Sequence, residues 1–183
     1  MSLREKTHFW RALGAFLNTG LGAWGSRATR SAVNRLGAAF YAPRFGGAIP
    51  FVKPGKPLRE STIAIVTTSG VHLASDEPFD VDATQGDPTY RIVPTEARAA
   101  DLRVSHAHYS HRYVDEDLNV VFPLDSLREL AAEGAFRLAP RHFAWGFLGT
   151  TTRALVDPRI GKAHEVARLL REDGVDLVVL VPA

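Results

Sequence analysis

The chain has 183 residues, 45% hydrophobic and 23% charged, and no apolar run approaches the ~20 residues a membrane-spanning helix needs, so it reads as one ordinary globular core. It contains no cysteine, which excludes disulfides, thiolate metal sites and a cysteine nucleophile within these residues and fits a reducing, cytoplasmic setting. The net charge of +2 is uneven: residues 1–60 hold ten Lys/Arg and two Glu, a net of +8, whereas residues 61–183 hold twelve Lys/Arg and eighteen Asp/Glu, a net of −6.

That split marks two parts. In the first, Phe9, Leu13, Phe16, Leu17, Leu21 and Trp24 recur at close to helical spacing with Arg4, Lys6 and Arg11 between them. The preferred reading is an amphipathic basic arm that packs on this domain or on a partner. A membrane-surface helix comes second and an Arg-rich transit peptide third. Arg11 interrupts the apolar stretch, which disfavours a secretory signal. Pro43, Gly46, Gly47, Pro50, Pro54, Gly55 and Pro57 then deny a long helix, so residues 25–60 read as an extended linker.

The second part, 61–183, opens on Ile63-Ala64-Ile65-Val66-Thr67-Thr68-Ser69-Gly70-Val71-His72. A β-branched apolar run ending in small residues predicts a buried parallel strand over 62–68 that delivers a loop at its C-terminal end. Ligands bind at that end in open α/β sheets. Residues 68–80 read as loop, Thr89–Val93 and Leu102–Ser105 as short strands, and Ser105–Asn119 as loop. Leu124, Leu127, Leu130 and Ala131 predict a helix face closed by Gly134, a left-handed C-terminal residue. Arg141–Phe147 predicts a strand running to Gly146 and Gly149. Asp157-Pro158 reads as a helix start, Val166, Leu169 and Leu170 as its apolar face, Arg168/Glu172 as an i, i+4 pair, and Gly174 as its end. Val175–Val181 reads as a buried strand. The expected fold is therefore α/β, with an open, mostly parallel sheet of Rossmann-like or flavodoxin-like type.

Parallel strands carry their C-terminal loops to one edge, so Thr68 to His72 is expected beside the His106/His108 loop and near Val181. The candidate pocket is Thr68, Ser69, Gly70, His72, His106, His108, Asp117 and His142. Thr67-Thr68-Ser69-Gly70 suits an anion held by backbone N–H groups, or simply a tight turn, but it is neither a Walker loop nor Gly-x-Gly-x-x-Gly. His72, His106, His108, His111 and His142, with Asp115 and Asp117, hold metal-competent side chains without a metal-site spacing, and no metal is expected. Asp115-Glu116-Asp117 offers paired carboxylates for acid/base work, set against a solvated acidic loop. The basic residues are spread too thinly for nucleic acid.

The ordered set Thr68-Ser69-Gly70-Val71-His72, Asp76 with Phe79, Gly86-Asp87-Pro88-Thr89-Tyr90-Arg91, Ser105-His106, Asp115 to Asn119 with Val121-Phe122-Pro123-Leu124, Leu138-Ala139-Pro140-Arg141-His142 and Gly174-Val175-Asp176 resembles the glycine/sarcosine/betaine/D-proline reductase selenoprotein B family. The resemblance runs from about residue 60 to 183. It implies a reductase subunit that cleaves the C–N bond of a small amino-acid-like substrate. A selenocysteine, or a cysteine in some relatives, attacks the α-carbon, and a pyruvoyl group on a partner reductase subunit activates amine substrates. No such nucleophile lies within the chain, so the competing expectation is a non-catalytic α/β domain that binds a small molecule or a subunit.

The family's redox residue follows a strand like Val178-Val179-Leu180-Val181, which places a selenocysteine just after Ala183. The codon after Ala183 is therefore expected to be UGA, with the frame continuing through a nearby Cys or His into a helix-forming pattern. Sequencing the locus checks this, and UAA or UAG at that position would favour the binding-domain alternative.

Overall fold

The computed structural model describes residues 52–83, 86–148, 155 and 161–183. The amphipathic arm predicted over 3–24, most of the linker, Gly149 and the helix start at Asp157-Pro158 lie outside these residues. A compact unit spans Pro54–Ala183.

Seven strands and two helices are seen among the described residues. They are β1 (Thr62–Thr67), β2 (Val71–Leu73), β3 (Tyr90–Pro94), β4 (Leu102–Val104), α1 (Leu124–Ala132), β5 (Arg137–Leu138), β6 (Arg141–Trp145), α2 (Lys162–Glu172) and β7 (Leu177–Val181). β1 is the centre of the sheet. β5 and then β6 pair with one side of it, β7 pairs with the other, and all three are parallel to it. β3 adds antiparallel to the outer side of β6, and β2 and β4 form a separate antiparallel ribbon. The architecture is thus α/β with an open mixed sheet and few helices, coarser than the Rossmann-like or flavodoxin-like expectation.

Both helices stop in the same way. The Gly134 and Gly174 backbones are left-handed, with φ of 81° and 67°. The Ala135 N–H returns to the Leu130 carbonyl and the Gly134 N–H to that of Ala131. Val175 and Gly174 repeat the pattern on Leu170 and Arg171. These paired bonds satisfy the last helical carbonyls and turn the chain sharply. Each turn feeds a strand to the N-terminal end of β1: the Arg137 N–H donates to the Ser61 carbonyl and the Asp176 N–H to that of Thr62. The Asp176 carboxylate accepts the Thr62 N–H in return (2.8 Å) and meets Lys56 (2.8 Å).

Two cores result. Ile65, Val93 and Ala144 face Phe122, Leu124, Val71 and Leu102, with Leu127 of α1 packed against the group. On the opposite face, Phe143 and Trp145 receive Val166, Leu169 and Leu170 of α2, the i, i+3, i+4 stripe predicted from sequence. Leu130 departs from the expected α1 face and is exposed. The Arg168–Glu172 pair is present. Arg141 holds Asp173 through two bonds of 2.7 and 3.0 Å, which tie β6 to the end of α2.

Three expectations are corrected. β2 occupies part of the stretch read as loop, and β5 was not anticipated. Val175–Val181 is not a buried strand. Among the described residues β7 pairs only with β1, and Val178 and Leu180 are 38% and 72% exposed. A continuous apolar run cannot distinguish a central strand from an edge strand, because pairing on the second side is decided elsewhere in the chain.

His142 repairs a break in the ladder. Between β5 and β6 the chain passes through Ala139-Pro140, and the Ile65 N–H lies at this gap in the pairing of β1 with β5 and β6. The His142 Nδ1 accepts that N–H instead (3.0 Å). A neutral ring then carries its proton on Nε2, which donates to Thr95 Oγ1 (3.0 Å), and that hydroxyl donates to the Ala139 carbonyl. His142 is fully buried, and burial, with the nearby positive charge of Arg128 adding, lowers its pKa to about 4.

A folded-state value below the ordinary 6.5 means the unfolded chain binds the extra proton first, so this stability is present above pH 6.5 and is lost as pH falls toward 4. His142→Asn keeps an acceptor for Ile65 but cannot titrate. Urea unfolding between pH 7 and 5 is expected to cost wild type about 2 kcal/mol more than this variant. Equal losses in the two proteins would remove His142 from the account.

Candidate functional site

The loops that leave β1, β4, β6 and β7 meet at one edge. The Thr68 N–H donates to the Val181 carbonyl (3.2 Å), and Thr68 Oγ1 accepts the Ala183 N–H (3.1 Å). The Gly70 N–H donates to the Trp145 carbonyl (2.8 Å), while the Gly70 carbonyl accepts the Ser105 N–H (2.9 Å). The Tyr109 hydroxyl donates to the Ser69 carbonyl (2.8 Å). The expected meeting of the Thr68–His72 loop, the His106/His108 loop and the end of the last strand is therefore observed.

Gly70 makes the approach possible. Its φ is 76°, and a Cβ there would overlap the Ser105 carbonyl oxygen and lie 3.1 Å from His106 Cβ. Only glycine adopts this backbone at no cost while letting another chain come so near.

The backbone N–H groups of the loop are all committed. Thr68 donates to Val181 and Gly70 to Trp145, and the Ser69 N–H donates to Thr67 Oγ1 (3.1 Å). An anion cradle of main-chain amides, as the small-residue run suggested, is not available in this arrangement. Side chains remain. Ser69 is fully buried, and its Oγ has no hydrogen-bond partner among the described residues.

His106 is buried at 6% exposure, and its Nδ1 accepts the His108 N–H (3.2 Å). The neutral ring therefore carries its proton on Nε2, where no partner is found among the described residues. Desolvation, with the charges of His108 and His111 adding, lowers its pKa to about 4. Its carbonyl accepts from His111 Nε2 (2.6 Å). The ring lies 4.6 Å from that of Tyr109 and edge-on to Phe147 at 6.2 Å. Exposed His108 stacks on Phe147 with centroids 3.7 Å apart, and burial of its ring lowers its pKa as well.

The other candidates have local duties. His72 is buried in β2, with Nδ1–H on the Leu73 carbonyl (2.7 Å) and Nε2 on the Ser105 hydroxyl (2.9 Å). Asp117 is exposed and caps the short turn Leu118–Val120 by accepting the Asn119 N–H (2.9 Å). Asp115 and Glu116 are also exposed, which places the paired carboxylates on the surface. His142 lies in the core, three residues before Trp145 and so roughly 10 Å back along β6. Among the described residues no group of three or more His, Asp or Glu is gathered as a metal site.

Tyr109, Trp145 and Phe147 belong to this edge and were not singled out from sequence, and Ser105 entered only through the Ser105-His106 motif of the resemblance. The signal for Phe147 was present: it follows a predicted parallel strand, whose C-terminal loop must share the edge of β1. Asp87 entered the sequence reading only as part of the Gly86-to-Arg91 stretch of the family resemblance, not as a pocket candidate. Burial raises its pKa, but hydrogen bonds from Thr89 and Asp80 and the charge of Arg91 outweigh that and hold it below the ordinary carboxylate value.

A profile of the glycine/sarcosine/betaine reductase selenoprotein B family matches residues 36–183. The chain belongs to this family. It is 39% identical over 127 residues to the D-proline reductase subunit gamma of Acetoanaerobium sticklandii, covering 68% of this chain and 50% of that one. It is 29% identical over 135 residues to the betaine reductase complex component B subunit beta of Peptoclostridium acidaminophilum (72% and 30% covered). To the glycine reductase complex component B subunit gamma of Carboxydothermus hydrogenoformans it is 28% identical over 166 residues (84% and 37%). The chain thus spans half or less of each of these relatives. No solved structure matches it. No helix among the described residues is long and apolar enough to cross a membrane.

Because the selenoprotein B edge is built on Gly70, Gly70→Ala is expected to destabilise by about 1–3 kcal/mol and to loosen the Ser105–Tyr109 loop. Urea unfolding and amide hydrogen exchange at Ser105 check this, and wild-type values in both would show that the close approach carries no weight.

Proposed function

We propose that this chain forms part of a selenoprotein-B-type reductase subunit that acts in the reductive cleavage of a C–N bond in a small α-amino or N-methylated carboxylate. The family match over residues 36–183 carries the reading. The higher identity to the D-proline relative, 39% against 29% and 28%, makes a D-proline-like ring the first substrate to test. Glycine, sarcosine and betaine follow.

In such a reaction a selenolate or thiolate attacks the α-carbon and the nitrogen departs with the bonding pair. A dithiol then supplies the two electrons that free the product and regenerate the nucleophile. The 183 residues contain no cysteine, so the nucleophile comes from outside them. A selenocysteine following Ala183 would be delivered to the edge described here, because Thr68 Oγ1 holds the Ala183 N–H (3.1 Å). A pyruvoyl group on a partner subunit belongs to the same proposal for amine substrates. Within this chain, Thr68 holds the backbone at Ala183, and His106, Tyr109 and Phe147 border the same edge.

The test is the complete locus-encoded protein, purified anaerobically with its partner subunits and supplied with a dithiol. Substrate loss is followed for D-proline, glycine, sarcosine and betaine. Cleavage of one of them, D-proline first, is the expected result. An intact assembly that cleaves none would overturn the proposal and leave a binding or assembly domain.

A further inference from the structure

β7 is paired along its whole length on one side only. Among the described residues Leu177 to Val181 bond to β1 and to no other strand. The Val181 carbonyl accepts the Thr68 N–H, so it faces β1. Backbone groups alternate along a strand, which turns the N–H and C=O of Val178 and Leu180 to the open side. Side chains alternate as well. Val181 packs into the core on the α1 face, so Val178 and Leu180 project from the face that carries α2. The register agrees: Leu180 lies beside Val66, which packs with the α2 core. Both side chains are exposed.

The two outer strands of the sheet differ. β3 carries Arg91, whose guanidinium donates to the Glu77 carbonyl (2.8 Å), and it ends at Pro94. A charge and a proline are what stop an edge strand from pairing further. β7 has neither, since Leu-Val-Val-Leu-Val is apolar throughout and its register runs without a bulge. Such an edge is a template for one more strand.

The connections fix where the chain leading to that strand runs. α1 lies on one face and precedes β5 and β6, which sit on one side of β1. α2 lies on the other face and carries the chain back across β1 to β7. Opposite directions on opposite faces have the same hand, and crossovers between parallel strands are right-handed in about 98% of cases. A further crossover outward from β7 repeats the direction of α2, which puts its helix on the α2 face. There is room for it. α2 packs on Phe143, Trp145 and Val66 of β6 and β1. With strands about 4.8 Å apart, β7 lies about 10 Å from β6, the spacing of two helices side by side.

We propose that one more strand pairs with the open edge of β7 and that the helix leading to it covers Val178 and Leu180, both supplied by polypeptide that follows Ala183. This assignment rests on the reductase reading, in which the same polypeptide brings the nucleophile. A helix and a strand with their turns need about 25 residues. The matched part spans 50%, 30% and 37% of the three relatives, so each has at least as much chain outside the match as within it. The turn from β7 into this helix lies at the edge where Thr68 holds the Ala183 N–H. A nucleophile in that turn is held between two packed elements.

The experiment is amide hydrogen exchange at single-residue resolution on the complete locus-encoded protein, without its partner subunits. A covered edge makes Val178 and Leu180 exchange as slowly as Val179 and Val181, within about tenfold. An open edge gives alternation, with Val178 and Leu180 faster by about a hundredfold or more, and would overturn the proposal. Leu180→Lys reads the helix. Its Tm is expected to fall by about 5 °C, as for a buried leucine, whereas Leu58→Lys, at an exposed leucine before β1, leaves Tm unchanged. Equal effects of the two would remove the helix, and if Leu180→Lys does not fold, the wild-type exchange pattern decides.

Slow exchange that is lost on dilution to the monomer would assign the edge to a second copy. Exchange that slows only when the partner subunits are added would assign it to them. Either result overturns the proposal, as does a coding frame that closes after Ala183. Slow exchange without reductive cleavage in the complete assembly would remove the reductase reading and leave this edge standing. Cleavage with alternating exchange would do the reverse.

Discussion

The bond from the Ile65 N–H to His142 Nδ1 sits where β1, the strand that β5, β6 and β7 are registered against, has no paired residue on its β5/β6 side. β5 ends at Leu138, β6 begins at Arg141, and the Pro140 carbonyl between them is taken by the Thr95 N–H. An unpaired amide at that depth would weaken the central strand. The imidazole supplies an acceptor there and donates its Nε2–H to Thr95 Oγ1, whose hydroxyl donates to the Ala139 carbonyl. One buried side chain therefore joins the two strand pieces to β1 and to the loop after β3. Arg128 of α1 reinforces the same loop by donating to the Thr95 and Ala97 carbonyls.

The consequence appears at the far end of the sheet. With β6 in this register, the Trp145 carbonyl meets the Gly70 N–H, and Phe147 arrives beside the histidine loop. β7 on the other side brings Val181 to Thr68. The edge is thus produced by strand pairing rather than by a single motif, and its amides are consumed in holding the loops together. Among the described residues the Ser69 hydroxyl is the buried side-chain group left without a hydrogen-bond partner.

Much of the fold was legible along the chain. The β-branched run at 62–68 specified its strand because Ile and Val pack well on a pleated buried surface. Gly134 and Gly174 specified the helix ends because no other residue takes a left-handed backbone so easily. The spacing of Val166, Leu169 and Leu170 specified the buried face of α2. β2 and β5 left no such mark, since three and two residues are too few to show a period. His142 shows the limit at a single residue. As a letter it is as suitable for a pocket as for a core, and only the neighbours that meet its two nitrogens distinguish them.

The amino-acid sequence by itself determined the α/β class, the central strand, the two glycine-ended helices and the family. Each of these depends on local propensity or on an ordered set of residues that can be read in one dimension. The tertiary structure alone decided that, among the described residues, β7 lies at an edge, the amides of Thr68 to Gly70 are engaged, His72 and His142 have partners on both nitrogens, and the Ser69 hydroxyl has none. Those outcomes depend on which groups from distant parts of the chain come within about 3 Å of one another, and hydrogen-bond satisfaction is a property of that meeting rather than of any residue alone.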